Sequence, residues 1–277
     1  MIGAEGRIVI NLIVDGIRFV IDPMVAPVLP AVAEALAAAR RVLVITGAGM
    51  SADSGVPTYR GIGGLYNGVE TDDGVPIEVA LSGPMLRSRP AVCWKYLAEI
   101  ERGARGRLAH AGHQVLASLA PRFERFTVLT QNVDGFHAQA GQPDVIEMHG
   151  NLFDLSCMRC DYRTRVSDYS GLDIPPRCPS CDGVVRPAVV LFGESLPADG
   201  IRRLEAALQD DLDFVLTIGT TSVFPYIAGP VLQAARAGIA TAEINPGESE
   251  VSSIVRYRIT ERAAPALEQL HRLMQNA

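Results

Sequence analysis

Val42-Leu43-Val44-Ile45-Thr46-Gly47-Ala48-Gly49-Met50-Ser51 starts as four apolar residues without alternation and breaks into a glycine-rich turn. A run this short and uniform suits a strand buried on both faces, as in a parallel sheet covered by helices. The pattern recurs in Phe126-Thr127-Val128-Leu129, Ala188-Val189-Val190-Leu191, Phe214-Val215-Leu216-Thr217-Ile218 and Ile239-Ala240-Thr241-Ala242-Glu243-Ile244, each ending in a polar or glycine-rich turn. Leu29, Val32, Leu36 and Ala39 share one face of a helical stretch from Pro27 to Arg41. Further helical stretches run around Leu116 to Leu119, Ile201 to Leu208 and Tyr226 to Ala237. Strands alternating with helices predict a doubly wound α/β domain.

Ligands of such sheets bind at the carboxyl ends of the strands. The densest polar motifs fall there: Thr46-Gly47-Ala48-Gly49, Thr130-Gln131-Asn132, Gly219-Thr220-Thr221-Ser222 and Asn245-Pro246-Gly247. Gly47-Ala48-Gly49-Met50-Ser51 reads as a phosphate cradle, because glycines allow close backbone approach and the amides of a helix start favour anionic oxygens. Read alone, it is equally a tight strand-to-helix turn. Ala52 replaces the third glycine of the dinucleotide fingerprint, and no strand ends in a ribose-binding acid at the usual distance. Gln131, Asn132 and Asp134 crowd a strand end, where such groups either cap a short helix or face a ligand. His149 precedes Gly150 outside any apolar periodic run, at a domain junction where pockets form. His113 and His137 read as structural, and His110 and His271 carry no signal.

Four cysteines stand in two pairs, Cys157-Met158-Arg159-Cys160 and Cys178-Pro179-Ser180-Cys181. Each pair can aim both sulfurs at one ion, and two pairs complete a tetrahedral, closed and therefore structural zinc site. Disulfides or two redox pairs are the rival readings. The chain shows no export signal: Asp15 and Arg18 interrupt the apolar run at Ile8 to Val14, and no small-residue cleavage site follows. Cys93, beside Trp94, reads as a buried inert thiol.

With 277 residues, 48% hydrophobic and 20% charged, the chain fits one large domain with insertions better than two equal domains. A formal charge of −6 argues against a general nucleic-acid binder and suits basic peptide partners. No segment reaches the roughly 18 to 20 apolar residues that span a bilayer, so we expect no membrane partner and a cytoplasmic location. The expected layout is an extension over 1–24 with a β-hairpin at Asp15-Gly16, and an α/β domain from 25–61, 108–150 and 187–277. Into it are set a helical excursion over 62–107 and the cysteine insertion over 151–186.

Taken in order, these motifs resemble those of the sirtuins, NAD-dependent protein deacylases, of bacterial type. The likeness covers Val42 to about Gly247. Gly47 to Gly61 resembles the family's cofactor loop, with Thr58 and Tyr59 where Asp and Phe are commoner. Thr130 to His137 matches the second motif, with Phe136 for the usual Leu, and His149-Gly150 matches the catalytic pair. Val190-Leu191-Phe192-Gly193-Glu194 matches the peptide-binding strand. Gly219-Thr220-Thr221-Ser222 and Asn245 match the adenosine-side loops, with some departure at Thr221-Ser222. The resemblance implies a Rossmann-like large domain, a small zinc domain and a cleft between them. It implies NAD as co-substrate, held by Gly47, Ala48, Gly49, Ser51, Tyr59, Arg60, Gln131, Asn132, Asp134 and the adenosine-side loops, with Asn132 and Asp134 counted as catalytic beside His149 because they would hold the nicotinamide end and its water. Acyl-lysine would enter as an extended segment pairing with Val190 to Glu194. His149 would act as general base on a ribose hydroxyl, and the products would be nicotinamide, free lysine and O-acyl-ADP-ribose.

Family members that prefer acidic acyl chains carry a Tyr and, three residues on, an Arg in the helical excursion. Aligned on Trp94, those positions here are Leu97 and Ile100. An acetyl or longer aliphatic group is therefore expected, with Arg102 and Arg105 as the residues a shifted register would bring in. The rivals are mono-ADP-ribosyl transfer from NAD to a protein, deacylation of acidic acyl chains, and a non-enzymatic NAD sensor, which should have lost His149 or Asn132.

Overall fold

Val42, Leu43, Val44 and Ile45 are completely buried, because their strand stands inside a sheet with helices on both faces. The structure, a computed structural model, describes residues 10–14, 17–21, 28–58 and 71–275. β1 (Ile10–Val14) and β2 (Ile17–Ile21) pair antiparallel and precede α1 (Val28–Ala37). β3 (Arg41–Thr46) runs into α2 (Ala48–Ser51). The excursion holds α3 (Ile77–Ala80), α4 (Gly83–Ser88) and α5 (Pro90–Ala104). The chain returns through α6 (Ala111–Leu119), β4 (Arg125–Thr130), α7 (Phe136–Gln139) and β5 (Val145–Glu147). β6 (Gly150–Cys157), β7 (Arg163–Arg165) and β8 (Val185–Val189) follow. The remainder is α8 (Ala198–Gln209), β9 (Phe214–Ile218), α9 (Pro225–Arg236), β10 (Ala240–Ile244), β11 (Tyr257–Ile259) and α10 (Ala263–Gln275).

The main sheet is parallel throughout, in the order β11-β10-β9-β3-β4-β5. Strand residues alternate between its faces. Val42 and Val44 join Leu36, Leu116, Leu267 and Leu270 in the core under α1, α6 and α10. Leu43 and Ile45 join Leu204, Ile227 and Val231 in the core under α8 and α9. Two apolar faces explain why the strand sequence shows no alternation.

The run Ala188 to Leu191 departs from the expected pattern. It continues β8, which pairs antiparallel with β6 in a separate three-stranded sheet of order β7-β6-β8. Its apolar character serves a third core, where Val185, Val189 and Leu191 meet Trp94 and Leu97 of α5. The excursion and the cysteine insertion share that core. Trp94 is fully buried, donates its indole N–H to the Val185 carbonyl at 3.0 Å, and lies 5.3 Å from the Tyr169 ring. Truncating such a side chain would cost about 3–5 kcal/mol. The three-residue strands β5 and β11 carry no run long enough to read from sequence. No helix among the described residues is long and apolar enough to cross a membrane.

Candidate active site

β3 pairs with β4 on one side and β9 on the other, so the connections leaving the sheet diverge between β3 and β9. A crevice outside the carboxyl ends at such a switch point is where open α/β sheets bind ligands. The two loops at this point touch through glycines. The Gly47 amide donates to Ile218 O at 3.1 Å and the Gly49 amide to Gly219 O at 2.8 Å. A Cβ on Gly49 would lie 2.7 Å from Gly219 Cα, and Gly219 itself has φ +56°. These glycines are therefore demanded by one loop lying on the other. The amides of Gly47 and Gly49, expected to cradle phosphate, are already donated to that contact.

Polar side chains converge on the crevice. Asn132 Nδ2 donates to Gly47 O at 2.9 Å and to Ser51 Oγ at 3.0 Å. Ser51 Oγ in turn donates to Asp134 Oδ2 at 2.7 Å, and Asp134 Oδ1 accepts the Phe136 amide at the start of α7 at 3.0 Å. Asp134 is thus both cap and strut. Burial pushes its carboxyl above the usual range, against the pull of the Phe136 and Ser51 donors. Gln131 Nε2 donates to Thr220 Oγ1 at 2.8 Å and Asn245 Nδ2 to Thr220 O at 3.0 Å, tying together the ends of β4, β9 and β10. Thr221 is exposed, and its carbonyl accepts the Glu250 amide at 3.0 Å. Ser222 is buried at φ +56°, and its hydroxyl has no partner among the described residues. A buried orphan hydroxyl beside convergent amides fits a polar ligand here. Tyr59 and Arg60 lie outside the described residues.

His149 links β5 to β6. Its Nδ1 lies 2.9 Å from Gln131 O, and a carbonyl can only accept, so Nδ1 carries the proton. Nε2 is then an acceptor, and the Tyr226 hydroxyl, 2.5 Å away, donates to it. Burial holds the imidazole below its ordinary pKa, and the bond to Gln131 O partly offsets this. Gly150 has φ +77°, and a Cβ there would sit 1.8 Å from Ala188 O. Only glycine lets β6 begin beside β8 with His149 facing the crevice. Tyr226 was not legible in sequence, since it lies in a helical stretch with no motif.

Behind α2, His110 Nε2 bonds the Met50 carbonyl at 2.6 Å and His137 Nε2 bonds Thr46 Oγ1 at 3.0 Å. His113 stands between the two rings, 4.2 and 4.9 Å away centroid to centroid. His113 and His137 are buried and held neutral by burial, at about 2 and about 4 respectively. This agrees with the structural reading of both and adds His110 to it.

The segment Val190 to Glu194 follows β8 and leans on the excursion. The Val190 amide donates to His149 O, Leu191 N to Glu194 Oε2, Phe192 N to Leu81 O and Glu194 N to Leu191 O. Gly193 holds the remaining main-chain donor of the segment. The Glu194 carboxylate takes both terminal nitrogens of Arg186, at 2.6 and 2.9 Å, so it braces the segment from behind. Phe192 stays more than a third exposed.

The four cysteine Sγ atoms lie within 4.8 Å of one another. Cys157 to Cys181 is 3.5 Å and Cys160 to Cys178 is 3.6 Å, far beyond a disulfide bond of about 2.05 Å. Sulfurs at about 2.3 Å from a tetrahedral zinc stand about 3.8 Å apart, so the donor set fits that ion. Leu97, one of the two positions aligned with the carboxylate clamp, is buried with Trp94 and Tyr96 in the core shared with this module.

Comparison with known proteins gives one consistent result. The family described as Sir2 family matches residues 47–225. The NAD-dependent protein deacylase 2 of Pseudomonas aeruginosa is 51% identical over 242 residues, covering 86% of this chain and 94% of that protein. The NAD-dependent protein deacylase of Aquifex aeolicus is 33% identical, over 83% and 93%. Among solved structures, a Sir2 homologue in complex with NAD superposes with a TM-score of 0.79 at 30% identity, over 89% of this chain and 93% of that one. A Sir2 variant holding a deacetylated p53 peptide and 3′-O-acetyl ADP ribose gives 0.78 at 26%, over 90% and 98%.

Proposed function

The chain belongs to the Sir2 family, and from that premise we propose that the crevice between β3 and β9 is where acyl groups are removed from protein lysine at the expense of NAD. The observation that carries this reading is His149: a half-buried imidazole, its tautomer set by Gln131 O, with Nε2 as the acceptor. That arrangement is a neutral base ready at physiological pH.

Bound NAD supplies a ribose carbon activated by nicotinamide as leaving group. Ser51 and Ala48 would hold its phosphates and ribose, with Gly47 and Gly49 shaping the loop because their amides are taken by the β9 side, while Thr220, Thr221, Ser222 and Asn245 would take the adenosine side. The orphan Ser222 hydroxyl supports that placement. Asn132 would orient the nicotinamide end, with its amide nitrogen pinned between Gly47 O and Ser51 Oγ. Asp134 acts through Ser51, as a positioning residue. His149 Nε2 is where the proton released by a sugar hydroxyl is finally held, while Nδ1–H stays on Gln131 O throughout. Val190 to Glu194 would receive the acyl-lysine segment, with Gly193 supplying main-chain contact and Glu194 bracing through Arg186.

Zinc held by Cys157, Cys160, Cys178 and Cys181 is structural, because four thiolates leave no open position. A net charge of −6 supports protein and not nucleic acid as the macromolecular partner. We place the reaction in the cytoplasm, where thiols stay reduced and available to metal.

The test is mass spectrometry of an acetyl-lysine peptide incubated with NAD. Nicotinamide should appear one for one with deacetylated peptide, and His149→Ala should lose at least about a hundredfold in turnover while remaining folded. NADH formation, or deacetylation without NAD, would overturn the reading. Transfer of ADP-ribose to a protein without loss of acyl would replace it with mono-ADP-ribosylation.

A further inference from the structure

Accepting His149 as the base, we propose that Tyr226 is a proton relay: the sugar hydroxyl gives its proton to Tyr226 Oη as the phenol gives its own to His149 Nε2. Gln131 O fixes the proton on Nδ1, so Nε2 has the one lone pair available for catalysis. That lone pair already receives a hydrogen bond, at 2.5 Å, from Tyr226. A substrate hydroxyl must therefore either displace the phenol or pass its proton through it.

Packing disfavours displacement. Tyr226 stacks on Phe224 with ring planes 16° apart and centroids at 5.5 Å. Both rings present edges or faces to His149, at 6.0 Å for Tyr226 and 6.1 Å for Phe224. Pro225 starts α9 between them, with φ fixed by its ring, so the aromatic pair is set by backbone as well as by contact. Three rings thus hold one another, and the imidazole is held again at Nδ1.

The phenol is chemically suited to the passage. With its O–H aimed at Nε2, its oxygen lone pairs are free to accept a proton. In the concerted step one O–H bond breaks at the sugar and one forms at Oη, while the Oη–H bond breaks and an Nε2–H bond forms. Tyr226 ends neutral, His149 ends as imidazolium and the sugar oxygen is left as nucleophile, so protons and charge balance. Burial pushes the phenol pKa up to about 12, which keeps it protonated between turnovers.

The experiment pairs Tyr226→Phe, which keeps the ring and its stacking, with His149→Gln. In ligand-free protein, 15N spectra should show the His149 Nε2 signal moving in Tyr226→Phe while Nδ1 stays protonated. NAD affinity by calorimetry should stay within about twofold, and kcat should fall about tenfold to a hundredfold. Under single-turnover conditions, rate against deuterium content should curve for wild type, as two protons move, and become linear for Tyr226→Phe. Wild-type or faster turnover in Tyr226→Phe beside an inactive His149→Gln would overturn the relay and leave His149 as a direct base. A linear wild-type dependence, or loss of the Nδ1 proton in Tyr226→Phe, would also overturn it, reducing Tyr226 to a support for the ring. Retained turnover in His149→Gln would remove the base assignment itself, whatever Tyr226 does.

Discussion

His149 has its reactive nitrogen chosen by a main-chain carbonyl, and its charge state chosen by burial. As the proposed base, the imidazole would work in its neutral form, and burial lowers its pKa more than the Gln131 bond raises it. Protonation therefore begins at lower pH than for an ordinary histidine at about 6.5. The sign is then set: kcat/KM should be flat above that value and fall only below it, with an acid midpoint under about 6.5. Measuring kcat/KM for NAD from pH 5 to 8 checks this, and a midpoint near 7 or above would mean that burial does not govern the charge of this histidine. Gly150 deserves a substitution of its own, since a Cβ would meet Ala188 O at 1.8 Å on a backbone at φ +77°. Gly150→Ala should destabilise by at least about 2 kcal/mol and lower activity through His149, as chemical denaturation and turnover would show. The His149-Gly150 pair was visible in the sequence. Its reason was not, because Ala188 approaches only in the folded chain. Tyr226 was invisible for the same cause, standing in an ordinary helical stretch until folding brings it to Nε2.

Among the elements, the cysteine module is the one whose sequence spacing carried its chemistry. Two pairs of thiols declare a tetrahedral site before any fold is known. The spacing could not reveal that the module shares its core with the excursion. Ala188 to Leu191 read as one more parallel strand because four apolar residues in a row give no alternation, although in the fold Val189 and Leu191 are buried and Ala188 is exposed. Only the pairing of β8 with β6 separates the cases. The shared core supplies its own probe, since Trp94 is the sole tryptophan and is fully buried against Tyr169 and Val185. Removing zinc with a chelator, or replacing Cys178 with Ser, should loosen the module and move Trp94 emission to longer wavelength. Most far-UV helical signal should persist, because α1, α6, α8, α9 and α10 pack on the main sheet and not on this core. Unchanged emission in a metal-free protein would show that the cysteines do not hold the module together.

Across the whole molecule, the parallel sheet and its polar strand ends were legible because period and turn chemistry are local. The order β11-β10-β9-β3-β4-β5, which creates the crevice, is not local and came only with the fold. Selectivity for the acyl chain belongs to this scale, since it depends on what the excursion, the module and the sheet leave between them. Trp94, Tyr96 and Leu97 are spent in the shared core, and Ile100 packs against it. Of the two cations a shifted register would supply, Arg105 is held by the buried Glu101 carboxylate at 2.5 Å and Arg102 is exposed. A bidentate clamp for a carboxylate needs a guanidinium facing it from the pocket; Arg105 is taken by Glu101, and Arg102 points its exposed side chain to the surface. Burying a succinyl carboxylate without such a partner would cost several kcal/mol, on the order of a thousandfold in rate. Acetyl-lysine, and longer aliphatic acyl-lysines, should therefore be processed far faster than succinyl-lysine on one peptide sequence. Competition between the acylated peptides, read by mass spectrometry, decides it. A preference for succinyl would require Arg105 to leave Glu101, and Glu101→Gln would then raise succinyl turnover further by freeing the guanidinium.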